Sequence, residues 1–211
     1  MLGKTSILKT IFLNFYYFSP KVAIHFPLRV AKDTKIISVG DRNSIEIMSI
    51  SQRIGIGYGE SFALGGKTGW KISPGGKIIF KGNTTFGKGT QIIVGTKGVI
   101  EFGDNFYCNA NGIINAGKKI SFGDDCLIGW NVEILDGDGH KIIAEYDRPM
   151  YESIEFGNHI WIGSHVMVLK GTKINSDCVI ASHSCVTKVF ENKNCIIKDN
   201  YIIKENIGWE K

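Results

Sequence analysis

From Ile154 to Phe190 the chain reads IEFGNHIWIGSHVMVLKGTKINSDCVIASHSCVTKVF. Phe156, Ile162, Val168, Ile174, Ile180 and Val186 put a large apolar residue at every sixth position, and Gly157, Gly163, Asn175, Ala181 and Thr187 follow five of them. A period of six fits neither the ~3.6-residue turn of a helix nor the plain alternation of a long strand. Short strands with a bend every six residues would turn each sixth side chain inward, and three such sides close one turn of a triangular coil.

The same frame runs upstream as Phe80, Phe86, Ile92, then Phe102, Cys108, Ile114, then Phe122, Ile128, Ile134. The phrase that opens each coil recurs: Ile78-Ile79-Phe80, Ile100-Glu101-Phe102-Gly103, Ile120-Ser121-Phe122-Gly123 and Ile154-Glu155-Phe156-Gly157. Its phenylalanines are 22, 20 and 34 residues apart. The first two intervals exceed three hexads by a small bulge, and the third by a loop at 135–153 that contains Asp136-Gly-Asp-Gly-His140. Stacked coils satisfy their backbone groups vertically and need capped ends. The reading is an all-β protein, a parallel β-helix in the form of a triangular prism over residues 61–190. Residues 1–60 form an N-terminal cap region with a short helix, in which Ile45, Ile47, Ile54 and Ile56 begin the stack. The period lapses in a tail at 191–211.

Composition agrees. A chain of 211 residues suits one domain, and 43% hydrophobic with 21% charged residues excludes disorder. Glycine, at 26 residues, supplies many turns, and 33 Ile against 8 Leu favour pleated surfaces over helices. The net charge of +5 is spread singly, with no basic run to track a nucleic acid. Five cysteines (Cys108, Cys126, Cys178, Cys185, Cys195) without a C-x-x-C pair argue for a reducing, cytoplasmic setting, and Cys178 and Cys185 read as packing residues. The apolar run Ile7–Phe18 is interrupted by Lys9 and Asn14 and stopped by Pro20, too short for a membrane span and without a cleavage site. A helix there either packs on the domain or lies on a membrane surface, at the inner face of the membrane.

The hexads, Asp136 to His140, and Asn158-His-Ile-Trp-Ile-Gly-Ser164 resemble the hexapeptide-repeat acyltransferases, above all the galactoside and maltose O-acetyltransferases and the bacterial capsular or exopolysaccharide O-acetyltransferases. The resemblance is strong over residues 70 to 190 and implies a left-handed coil, acetyl-CoA as cosubstrate without a required metal, a sugar or polysaccharide acceptor, and a homotrimer with sites between subunits. Lys9-Thr-Ile-Phe-Leu-Asn-Phe15 and Lys204-Glu-Asn-Ile-Gly-Trp209 look like the polysaccharide branch. It lapses at Lys198-Asp-Asn-Tyr201, where the family's Gly-Asn-Pro-Ala would stand.

His140 sits in the large insertion, at the family's histidine position. An imidazole there would take the acceptor hydroxyl's proton and return it to the leaving thiolate, a contribution of roughly 10² to 10⁴ in rate. Asp138 or Asp136 would orient it, or, with Gly137 and Gly139 beside them, simply make the turn. Trp161 should face outward, and in the family this residue lines the cleft beside the acceptor. Asn109 matches a family asparagine at the reacting groups, or is an asparagine bonded along the stack. By the resemblance, the Ser164 N–H donates to the thioester oxygen, the Ser182 backbone meets pantetheine, and Thr187 with Lys188 meets the phosphates of coenzyme A. Gly103-Asp104 and Gly123-Asp124 read as corner turns.

An amino-sugar N-acetyltransferase is the near alternative. A zinc hydratase on the same solenoid is a different one, since His159, His165 and His183 share one frame position. A non-catalytic solenoid leaves the insertion around His140 without a purpose.

Overall fold

Ile-rich segments of two to five residues form the strands, and a bend after each turns the chain onto the next face of a prism. The computed structural model describes residues 4–59, 66–140, 143 and 149–210. Three parallel sheets are visited in strict rotation. Sheet 1 begins at Leu28–Val30, sheet 2 at Lys35–Val39 and sheet 3 at Ile45–Ile47, and the last strands of sheets 2 and 3 are Cys185–Val186 and Val189–Phe190. Sheet 1 closes with Cys195–Lys198, joined by the antiparallel strand Tyr201–Glu205. The bends define three corners: I from sheet 3 to sheet 1, II from sheet 1 to sheet 2, and III from sheet 2 to sheet 3.

The hexads become vertical columns. Phe86, Cys108, Ile128, Ile162 and Ile180 are partners in sheet 1, and Ile92, Ile114, Ile134, Val168 and Val186 in sheet 2. All are buried. In sheet 3, Phe80, Phe102, Phe122 and Phe156 stack with ring centroids 5.5, 5.5 and 4.9 Å apart and planes within 14°. Each such pair adds about 0.5–1.5 kcal/mol beyond area burial, so one residue type at one frame position both fills the core and holds register.

The stack is longer than its hexads. The divisions expected at residues 60 and 191 fall inside it, because Leu28–Val30 already pairs in parallel with Ile54–Ile56, and Cys195–Lys198 with Val179–Ile180. Helix α1 (Ile7–Tyr17), followed by the single turn α2 (Pro20–Ala23), closes the open end. The Asn14 side chain donates to Leu28 O (2.8 Å) and accepts from Leu28 N (3.2 Å). Thr10 Oγ1 accepts from Val30 N (3.1 Å), and Ser6 N donates to Val30 O (2.8 Å). These groups serve the free edge of the first strand as a neighbouring strand would, which removes a site of edge-to-edge association. No helix among the described residues is long and apolar enough to cross a membrane.

Cys108, Cys126, Cys178 and Cys195 are buried thiols, and burial pushes Cys108 and Cys195 up to about 12. Cys185 differs from the packing role expected of it: its side chain is exposed, because it precedes the inward Val186 on a strand whose faces alternate.

Candidate active site

Corner II is a column of left-handed residues. Asn111, Asn131, His165 and His183 have φ between 54° and 62°; asparagine and histidine are among the side chains that tolerate this region. The residue before each presents its backbone N–H at the corner. Ala110 N is served by the Asn109 side chain (3.0 Å), and Trp130 N by Ser164 Oγ (3.2 Å). Ser164 N and Ser182 N have no partner among the described residues. The coils can approach closely here because Gly163 has no side chain: a Cβ would lie 2.7 Å from both Ser182 N and Ser182 Oγ. Asn109 thus stands at the expected corner, two coils from Ser164, with its side-chain oxygen bonded to the next amide.

Corner III carries the loop. Its base is an antiparallel bridge between Gly137 and Tyr151, flanked by Asp138 N to Met150 O (3.2 Å) and Glu152 N to Asp136 O (2.9 Å). The Tyr151 ring covers Gly117 and Gly137, at either of which a Cβ would lie 2.2 Å from it. Asp136 is buried, its carboxylate accepting from Gly117 N (2.6 Å) and Lys118 N (2.8 Å). Asp138 is ion-paired with Lys170, whose ammonium also donates to Pro149 O (2.7 Å). Both carboxylates expected to orient His140 therefore brace the loop. His140 itself is exposed at the end of this base, with no hydrogen-bond partner among the described residues. Residues 141, 142 and 144–148 of the expected loop lie outside the described residues.

Two coils further along corner III stand Thr187 and Lys188. The Asn200 side chain clasps Thr187, accepting from its N–H (2.8 Å) and donating to its hydroxyl (3.0 Å). Lys188 Nζ lies 5.4 Å from the centroid of the Tyr201 ring, and Lys198 Nζ donates to Ser182 O (3.0 Å). The segment Lys198 to Tyr201, where the resemblance lapses, is thus what supports the expected cofactor residues. Its roles were invisible in sequence because they depend on the antiparallel return of the last strand.

Trp161 lies on the outer face of sheet 1, 42% exposed, as its frame position predicts. Trp209 packs beside it, centroids 6.0 Å apart, stacks on His159 at 4.0 Å and donates to His159 O (3.2 Å). His159, whose Nδ1 lies 3.0 Å from Asp177 Oδ1, belongs to corner I. His165 and His183 stack on each other at corner II. One frame position is split between two corners, so the three histidines do not converge, and among the described residues no three potential ligands group around a metal site. Within one chain, then, Asn109, Trp161, Ser164 and Ser182 lie at sheet 1 and corner II, while His140, Asp136, Asp138, Thr187 and Lys188 lie at corner III. A full side of the prism separates the two groups.

The chain matches no protein-family model. It is 40% identical over 92 residues to a galactoside O-acetyltransferase of Escherichia coli strain K12, covering 42% of this chain and 45% of that one. It is 31% identical over 141 residues to an uncharacterized 24.8 kDa protein in the cps region of Klebsiella pneumoniae, covering 66% and 63%. The chain thus spans about half to under two thirds of the length of these relatives. A solved polySia-specific acetyltransferase, NeuO, superposes with a TM-score of 0.61 at 22% identity, over 86% of this chain and 80% of that one. The chain is similar in sequence to named O-acetyltransferases and shares its fold with a solved one. Its prism is a left-handed parallel β-helix. Against the expectations for a hexapeptide-repeat acyltransferase, the departure in this chain is the Asn200 and Tyr201 support of Thr187-Lys188.

Proposed function

We propose that the protein is an acetyl-CoA-dependent O-acetyltransferase that modifies a sugar hydroxyl of a cell-surface polysaccharide and works as a homotrimer in the cytoplasm, against the inner face of the membrane. The observation that carries the reading is the pair of N–H groups, Ser164 and Ser182, one coil apart on corner II and without a partner among the described residues. Fixed amides with no protein acceptor suit a carbonyl on which charge grows, and need no reorganisation as it does so. Acetyl-CoA supplies the activated acyl group when bound. Ser164 N–H would donate to the thioester oxygen, Ser182 N–H would hold the pantetheine arm, and Lys188 with Thr187 would meet the phosphates. His140 takes the acceptor hydroxyl's proton as the oxygen attacks the carbonyl, the C–S bond breaks, and the proton passes to the departing thiolate. The products are an acetyl ester and the free thiol of coenzyme A. Relatives named as O-acetyltransferases favour oxygen over the nitrogen of an amino sugar as acceptor.

The separation of the two groups supports the trimer. Corner II of one chain and corner III of the next are different surfaces, so their contact would be heterologous, the kind that forms a ring when a rotation of one third of a turn relates the chains. His140 of one protomer would then face the amides of another. A concavity of about 690 Å³ farther along the sheet 1 face supports an acidic acceptor: its lining includes Lys4, Arg29, Arg53, Tyr58 and Tyr107 and, among the described residues, no carboxylate.

Thiol release from acetyl-CoA, measured with acidic and neutral oligosaccharides alongside sedimentation, tests this. Turnover with an acidic glycan by a trimer supports it. A fully active monomer would exclude the shared site, and no acetyl transfer to any glycan would exclude the reaction.

A further inference from the structure

Helix α1 is docked with its polarity inverted. The arc facing the domain carries Thr10, Leu13, Asn14 and Tyr17; Thr10 and Asn14 cap the first strand, and the Tyr17 hydroxyl donates to Val39 O (2.9 Å). The arc facing away carries Ile7 (66% exposed), Leu8 (82%), Ile11 (42%), Phe12 (51%) and Phe15 (43%). Projected at a helical turn of ~3.6 residues, these five fill one continuous side with no polar residue among them. The apolar surface continues beyond the helix. Phe15 meets the Phe26 ring at 6.4 Å, and Ile24 is 59% exposed. Phe26 holds φ at 48°, a left-handed conformation that a bulky aromatic side chain rarely adopts. A run of exposed large apolar side chains of this kind marks an interaction surface.

Charge chooses the occupant. The first 32 residues hold Lys4, Lys9, Lys21, Arg29 and Lys32 and no Asp or Glu. Lys21 is exposed on α2, and the Arg42 guanidinium stands 5.6 Å from the Tyr16 ring centroid, whose ring in turn meets Phe12 at 5.8 Å. Lys9 points elsewhere, donating to Lys32 O (2.7 Å) and Thr34 O (2.6 Å). We infer that the outward face of α1, with Ile24 and Phe26, is a bilayer-binding surface that inserts Leu8, Phe12 and Phe15 among acyl chains while Lys21 and Arg42 meet anionic headgroups. Such a surface gains from buried apolar area and from headgroup charge together, whereas a protein partner would need only the former. It makes residue-specific the placement at the membrane proposed above and leaves the acetyl-transfer chemistry untouched.

The test is flotation of the full chain with vesicles of phosphatidylcholine alone and with about one third phosphatidylglycerol, at low and high salt. Wild type should float with the anionic vesicles and be released by salt. Leu8→Asp/Phe12→Asp should lose flotation roughly tenfold or more, and Lys21→Glu/Arg42→Glu should lose the preference for anionic lipid. Both should keep wild-type melting and acetyl transfer to a soluble glycan, which separates this inference from the catalytic one. Wild type that stays at the bottom with every vesicle overturns the inference. So does a Leu8→Asp/Phe12→Asp variant that floats normally but changes oligomeric state, because the face would then be a subunit contact.

Discussion

From Asn105 and Asn111 onward, corners I and II are built on the same backbone plan, with a left-handed residue in each coil, and they are finished differently. At corner I the amides of Asp104, Asp124 and Asn158, each just before such a residue, and of Asn83 at the equivalent place, are served by side chains of the coil below, and Ser176 N by Asn175 of its own coil. Asp104 Oδ1 accepts from Asn83 N (2.6 Å), Asp124 Oδ1 from Asp104 N (2.7 Å), Asn158 Oδ1 from Asp124 N (2.9 Å) and Ser176 Oγ from Asn158 N (3.0 Å). Corner II starts in the same manner, with Ser164 Oγ on Trp130 N, and then stops: Ser182 stands below Ser164 as Ser176 stands below Asn158, yet Ser164 N is left open. Each ladder bond is worth about 0.5–1.5 kcal/mol net. A solenoid built only for stability would complete both ladders. The difference teaches that the regular structure is interrupted where a carbonyl-bearing ligand would have to compete for the amides.

The largest test of that contrast removes the chemistry and leaves the open corner. His140→Ala should lower turnover by roughly 10² or more while coenzyme A binding, read by calorimetry, and the melting temperature stay as they were. Loss of coenzyme A binding with turnover would mean that the open amides are not sufficient to hold the cofactor.

A matched pair of glycines compares the corners directly. A Cβ on Gly163 would lie 2.7 Å from Ser182 N, and one on Gly157 would lie 2.6 Å from Ser176 N. Gly163→Ala and Gly157→Ala should each cost about 1–3 kcal/mol in denaturant unfolding through overpacking. Only Gly163→Ala should also weaken acetyl-CoA. Equal kinetic effects would erase the distinction between the corners.

Lys188→Ala should raise the Michaelis constant for acetyl-CoA roughly three- to tenfold at low salt and less at high salt, with the acceptor's constant unchanged, the signature of lost uniform binding. Tyr201→Leu, which removes the ring beside Lys188, should move the same constant by less.

The smallest effect belongs to Glu101, on sheet 3 and away from both corners. Lys119 (2.7 Å) and Lys81 (3.0 Å) pair with it, and their hydrogen bonds hold its carboxyl below the usual glutamate range. A depressed folded value stabilises above the unfolded value and is lost as pH falls through the folded one. Glu101→Gln should therefore cost about 0.5 kcal/mol near neutrality, a difference that closes as pH drops below about 4, with kinetics unchanged.

Much of this was legible before any coordinates. The hexads predict which side chains face inward, since the period alone separates Ile162 from Trp161, and Asp104 and Asp124 read correctly as corner residues. The two aspartates beside His140 were harder. Nothing in Asp136-Gly-Asp-Gly-His140 reveals that Asp136 turns inward to the amides of Gly117 and Lys118, a contact across one coil. The early start of the stack at Leu28 was hidden for a similar reason: Leu28, Ile54 and Thr84 are partners in space without a fixed spacing in the chain.

By itself the sequence determined the repeat, the inward columns, the insertion with its histidine and the outward tryptophan, because these follow from side-chain polarity at a local period. Tertiary structure alone decided which amides stay open, which carboxylates are consumed by the scaffold, and how Asn200 and Tyr201 return to Thr187 and Lys188. Each of those depends on what lies one coil above or below, and contacts between coils join residues whose separation varies with every bulge and loop.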